Sequence, residues 1–539
     1  MDCNAQVFRK CPKYEVVDSD LDLDSDNDYA TLYEGYDIMH EDNWKPLPWR
    51  DAKHETMLKD NSFPSLGPET LPRSAQRYAD ISARTRPQLP GRGLFIWDKI
   101  RMAENFKPAI ARRRPLDVLR ENTRRPLEKE LQLHELRLTA SYKESPGSIN
   151  KVEQKDGKVL SCSAAMGGHA DLPDEIVDQY NHRGSLTLWQ EGLQILSGHS
   201  AERGDMTKHY TVNDVQFDNC STTFVSSGTD KKVRIWQQDH TGMYKEISQF
   251  LYKHVPHAMA FKPGCSILAV ATRQVSLYQN INRVIPRPSA LPMIPAGEAH
   301  VTGSIAWGTE CSSNFLFASS EPEDNTVFTG YHRAFDAATA KEAIEFDASE
   351  AGDSIAISTA GGLMALTTRG PESRHILRLY DIRNVEASYV KMEQLESFPA
   401  DVEGEVNSAI FSPDDVYLAL GRNDNRIHVY DLRMLSRGAL YDFEHFGPPR
   451  TPPGMCPYGV VKAEWVESNS RRLGLITGGN DACIRLWDPL HAPESLDNGV
   501  VLAEVQFDIG HFSLGDRFKG EHQLVVGDSA VFDCKENVQ

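Results

Sequence analysis

No stretch of this 539-residue chain is apolar for the roughly 20 residues a membrane-crossing helix needs, and its first residues lack the apolar core of a secretory signal. Cysteine is sparse: nine residues are scattered, with no Cys-x-x-Cys pair and no Cys/His spacing of a zinc site. A disulfide framework is therefore not expected, and the chain reads as a soluble protein of a reducing compartment, nucleus or cytoplasm. Positive charge is in deficit, with 58 Lys and Arg against 77 Asp and Glu and a formal net charge of −19. That is the wrong sign for broad contact with nucleic acid phosphates. Also missing are a Gly-rich phosphate loop, His-Glu-x-x-His and Gly-x-Ser-x-Gly, while His169, His257 and His300 stand singly. No catalytic site, metal, cofactor or small-molecule substrate is expected. The remaining class is a protein that binds proteins.

What is present begins with an acidic run. From Tyr14 to Trp44 there are eleven Asp or Glu and no Lys or Arg. Residues 1 to 90, acidic and then rich in Pro, Ser and Arg, lack periodicity and read as a disordered tail. Asp20, Asp22, Asp24, Asp26 and Asp28 alternate like the first ligands of an EF-hand loop, which also needs Gly at its sixth position and Glu at its twelfth. A frame from Asp22 puts Asn27 and Tyr33 there, and one from Asp24 puts Tyr29 and Gly35, so calcium is excluded. Ser19 and Ser25, each with an acidic residue three positions on, are candidate phosphorylation sites. Residues 91 to 130 read as a helical preface, because DKIRMAENF, PLDVLREN and PLEKELQLHEL carry apolar residues at three- and four-residue spacing, with Pro115 and Pro126 at first-turn positions. Its Ala-Arg-Arg-Arg-Pro stretch with Arg120, Arg124 and Arg125 is a nuclear localisation signal, a phosphate contact or a solvated helix face that answers the acidic tail.

From 131 to 535 the chain repeats. VNDVQF, PHAMAF, TGSIAW, GDSIAI, VNSAIF, VVKAEW and LAEVQF look like one strand written seven times, and their last residues, from Phe217 to Phe507, are 42 to 54 positions apart. Each is followed by a small apolar strand such as TFVSSG or VYLALG and then by an alternating strand closing on an aromatic: VRIWQ, VSLYQ, LRLYD, IHVYD, IRLWD. Asp230, Asp424 and Asp481 stand six residues before the closing aromatics Trp236, Tyr430 and Trp487, where a short acceptor caps the tight turn between the second and third strands. An eighth, imperfect cycle precedes the seven, closing near Trp189, and the cycle near Tyr331 is degraded. ELRLTASY, 135 to 142, is the candidate strand shared with the far end of the chain to close a ring.

These cycles, with Gly-His at 198 to 199 and Trp-Asp at 487 to 488, resemble the WD-repeat β-propeller family over residues 130 to 535. The resemblance implies an all-β ring of seven or eight blades whose closing aromatics are core. Two cycles end alike, in Tyr380-Asp381-x-Arg383 and Tyr430-Asp431-x-Arg433. Aromatic-Asp-x-Arg endings resemble those of substrate receptors of cullin-4 RING ubiquitin ligases, in which the Arg faces the damaged-DNA-binding adaptor protein. By that resemblance Asp381, Arg383, Asp431 and Arg433 form an adaptor-facing rim, and the family's helical segment ahead of the propeller corresponds to the preface. The pattern departs from the family in using Tyr for Trp, and the Trp487 cycle carries Leu490 where the Arg would stand. The alternative is a ubiquitin-independent propeller scaffold for chromatin or histones, or for ribonucleoprotein assembly, using its acidic tail on basic partners.

Overall fold

The computed structural model describes residues 93–99, 126–142, 145–168 and 180–529, apart from short loop segments within the last range. The acidic tail, most of the helical preface and residues 530–535 lie outside them. All described residues belong to one compact unit.

Eight four-stranded antiparallel sheets follow one another. Blade 1 spans 149–195, blade 2 212–251, blade 3 258–291, blade 4 300–345, blade 5 351–395, blade 6 406–444 and blade 7 462–504. In each, the four strands lie in sequence order, as period-2 segments joined by short turns must. Blade 8 is assembled from both ends of the chain, in the order Leu136–Tyr142, Leu94–Lys99, Leu524–Asp528, Ile509–Leu514. The expected eight cycles are therefore eight blades.

Blade 8 also corrects the reading of the preface. Residues 94–99 are a strand, paired Leu94 to Gly527 and Phe95 to Val526 on one side and Leu94 to Tyr142 on the other, so the propeller begins before residue 131. The only helix described within the preface is Leu127–Glu130. LFIW lies ahead of the helically spaced segments; its strand completes the sheet, and it supplies Phe95 and Ile96, both wholly buried. ELRLTASY takes the outermost place of the same blade. Two further registers differ from expectation. Val500–Glu504 is the outer strand of blade 7, so the last innermost strand is Ile509–Leu514 and Phe507 lies between them. The third strand of the degraded cycle is His332–Asp336, closing on buried Phe335 rather than at Tyr331.

Apolar side chains bury between neighbouring blades as well as within them. One cluster joins Leu94, Ile96 and Val525 of blade 8 to Ile149, Val152 and Val159 of blade 1, and so closes the ring. Full burial of each such side chain contributes about 1.5–3 kcal/mol. Polar residues of the inner strands stitch the ring circumferentially: Asn150 Nδ2 donates to Val212 O at 2.8 Å, Asn213 Nδ2 to Pro256 O at 2.9 Å and Asn407 Nδ2 to Tyr458 O at 2.7 Å. This is why the inner strands alternate rather than run apolar. Propeller geometry places all first-to-second and third-to-fourth strand turns at one rim, here the lower rim, and the remaining connections at the other.

Candidate partner-binding rim

The closing aromatics are core. Trp236, Tyr380, Tyr430 and Trp487 are all buried. In blade 2, Trp236 Nε1 donates to Ser226 Oγ at 2.9 Å, Ser226 meets His199 Nε2 at 2.8 Å, and His199 Nδ1 meets Asp230 at 2.8 Å. Blade 7 repeats the chain through Thr477, His445 and Asp481, at 2.8, 2.8 and 2.9 Å from Trp487 onward. Burial pushes the His445 imidazole down despite the Asp481 carboxylate beside it. Burial works against the Asp481 carboxylate in turn, but His445 and Arg485 hold it at about 2. Asp230 and Asp481 also accept from the backbone N–H of Lys232 and Cys483, at 3.3 and 3.1 Å, the turn cap expected of them. The residues after the three turn aspartates, Lys231, Asn425 and Ala482, share a left-handed φ of 61°, 66° and 61°. Asp424 instead pairs with Arg422 at 3.1 Å, both side chains fully buried. Of the two histidines, sequence marked His199 through its Gly-His pair but not His445. His445 follows Glu444 and carries no such signal.

Beyond the aromatic, each third strand runs out at the lower rim. Asp381 pairs with Leu363 and Asp431 with Tyr417, the first residues of their neighbouring strands, so the two positions are equivalent in adjacent blades. Asp381, Asp431 and Asp488 accept from the backbone N–H two residues on, at 3.1, 3.0 and 3.0 Å. In blade 4, Asp336 after Phe335 caps Ala338 N at 2.9 Å. The Asp is thus turn chemistry wherever it occurs. What distinguishes blades 5 and 6 is the residue it caps. Arg383 returns Nε and Nη2 to Asp381 at 2.9 and 2.5 Å, and Arg433 does the same to Asp431 at 2.9 and 2.6 Å. Hydrogen bonds from the guanidinium hold both carboxyls below their usual range. The Arg side chains themselves remain 65% and 68% exposed. In blade 7 Leu490 occupies this place, and Asp488 is held instead by Arg472 and by His491 at 2.8 Å.

The rim turns of these blades are latched together. Asp415 of blade 6 accepts from Thr359 N and Ala360 N of blade 5 at 2.6 and 2.8 Å, and Lys391 of blade 5 donates to Leu432 O of blade 6. Arg383 and Arg433 are therefore two oriented forks on one supported surface. The helix Leu127–Glu130 docks on the same rim, with Leu127 buried and Glu130 accepting from Arg472 at 3.2 Å and from Ser470 at 2.8 Å. At the other rim a cavity of about 190 Å³ is lined by Asn150, Asn407, Asn423 and His511 among others. Among the described residues, no group of three His, Cys, Asp or Glu is arranged to hold a metal, and no helix is long and apolar enough to cross a membrane.

Comparison with known proteins agrees with this architecture. The family model described as WD domain, G-beta repeat matches residues 193–237 and 392–431, each running from an outer strand through the third strand of the next blade. The solved structure of the Dos1 propeller is similar with a TM-score of 0.56 and 18% identity, covering 73% of this chain and 97% of that one. The β-propeller domain of Myceliophteria thermophila Cps50 (Swd1) aligns with a TM-score of 0.41 and 15% identity, over 63% of this chain and 96% of that one. A search of curated proteins gives no match. The chain is an eight-bladed β-propeller in which two segments match the WD-type repeat.

Proposed function

We propose that this propeller is a substrate-receptor subunit of a cullin-4 RING ubiquitin ligase, acting by binding rather than catalysis, in the nucleus or cytoplasm. Its lower rim docks on the damaged-DNA-binding adaptor, leaving other surfaces for the substrate. The carrying observation is the equivalence of Arg383 and Arg433: adjacent blades, the same strand end, the same bidentate Asp, and side chains 65% and 68% exposed. Each carboxylate holds Nε and Nη2, so the fork is already oriented and less side-chain entropy is lost on binding. Arg is also a preferred hot-spot residue of protein interfaces.

The test is co-purification of the full chain with the adaptor. Changing Arg383 and Arg433 together to Ala is expected to abolish it without unfolding the propeller, and an unchanged pull-down would sink the reading. A second reading, a ubiquitin-independent scaffold for chromatin or ribonucleoprotein assembly, is favoured by the acidic run between Tyr14 and Trp44. Its mark is salt-sensitive binding to a basic partner that disappears when residues 14 to 44 are removed.

A further inference from the structure

The rim that carries the two Arg forks also gathers exposed apolar side chains. Thirteen large hydrophobic residues are exposed among the described residues, and six of them stand in the lower-rim loops of blades 5 to 8: Tyr389, Val390, Met434, Leu440, Leu490 and Phe518. Singly, an exposed Leu or Met needs no explanation, but concentration on half of one rim does. The two most exposed of the six, Leu490 at 75% and Phe518 at 103%, belong to blades 7 and 8, where no Arg fork stands. Both project from capped turns: Leu490 N donates to Asp488 at 3.0 Å and Phe518 N to Asp516 at 2.9 Å. They are held out to solvent by hydrogen-bonded backbone. The docked helix Leu127–Glu130 reaches Arg472, and Leu490 and Phe518 stay exposed.

We propose that the lower rim of blades 5 to 8 is one continuous docking surface for a separate protein. In it Leu490 and Phe518 are the apolar anchors, and Arg383 and Arg433 are the polar arm. Aromatic, aliphatic and Arg side chains at the centre of a patch are the composition of an interface hot spot. At the two forks the outward charge is guanidinium, since Asp381 and Asp431 each already face their own Arg. The complementary occupant is therefore a protein with an apolar face bordered by carboxylate or carbonyl acceptors, and a second copy meeting rim to rim would set like charges together. This extends the reading of the Arg pair from two blades to four and rests on it for that half of the surface.

Hydroxyl-radical footprinting of the full chain, alone and in the native complex isolated from cells, tests the surface whatever the partner is. Phe518, Leu490 and Met434 are expected to be oxidised in the chain alone and protected in the complex. Binding of the purified adaptor is expected to weaken about tenfold or more in the Leu490→Ser/Phe518→Ser variant. Continued oxidation of these residues in the complex overturns the proposal. So does protection already in the isolated chain, which would mean that residues 100–125 or a second copy cover them. An Arg383→Ala/Arg433→Ala variant that keeps the adaptor defeats the receptor reading alone, because the footprint at Phe518 and Leu490 is read independently.

Discussion

Arg433 donates through Nε and Nη2 to Asp431, two residues before it, while its own backbone N–H donates to the same carboxylate at 3.0 Å. One carboxylate thus serves two purposes, closing the turn and aiming the side chain, and substitution separates them. Asp431→Ala removes the cap of the 3-10 turn Leu432–Arg437 and is expected to cost about 0.5–2 kcal/mol. Arg433→Ala leaves the cap in place and is expected to leave stability unchanged while weakening partner binding. Urea unfolding of the two variants beside adaptor binding checks the division. A stability loss in Arg433→Ala as large as in Asp431→Ala would make the pair structural only.

How far the sequence carries depends on whether the signal is local. The inner, second and third strands were legible because period-2 alternation and closing aromatics are local facts, and Tyr380, Tyr430, Trp236 and Trp487 are indeed buried. The outer strands were not, since they face solvent and lack a fixed pattern; Tyr244–Leu251, mostly exposed, is an example. Misplacing Val500–Glu504 as an innermost strand is the same failure. Leu94–Lys99 was read as part of a helical preface because its partner, Leu524–Asp528, lies some 430 positions away, beyond any local pattern. On the rim, Arg383 and Arg433 were legible as a repeated ending, whereas Phe518, in a turn with no repeat signature, became visible only through its exposure.

The ring is closed by two strands from each end of the chain, so the integrity of blade 8 depends on pairing between segments some 430 positions apart. Phe95 is wholly buried with Leu127, Ile484, Phe512 and Val526 around it, in a strand tethered by backbone pairing and by Asp98, which accepts from Gln523 N at 2.9 Å and meets His522 at 2.6 Å. Phe95→Ala is expected to cost about 3–5 kcal/mol, as cavity-forming aromatic truncations do. Deleting residues 1–99, which removes the third strand of blade 8, is expected to abolish cooperative unfolding. A truncated chain that melts with the wild-type transition would show that blade 8 does not need this strand.

Asp508, buried in the connection between blades 7 and 8, accepts hydrogen bonds from Ser529 Oγ and, at 3.3 Å, from Thr451 Oγ1, and forms no ion pair among the described residues. Burial pushes its carboxyl up to about 7, against an ordinary value near 3.8. Between those two pH values the native state holds a proton that the unfolded chain has released, so this contribution to stability is full below about 3.8 and is lost as pH rises through about 7. The slope for one such group is about 1.4 kcal/mol per pH unit. Asp508→Asn keeps the shape and accepts from Ser529 without titrating. Glu153, also raised to about 7, and the buried neutral histidines His332 and His428 titrate in both proteins and cancel in the difference. The variant is therefore expected to gain on the wild type as pH rises from 5 to 8, measured by urea unfolding at each pH. A difference that stays constant over that range would mean that Asp508 is ionised throughout.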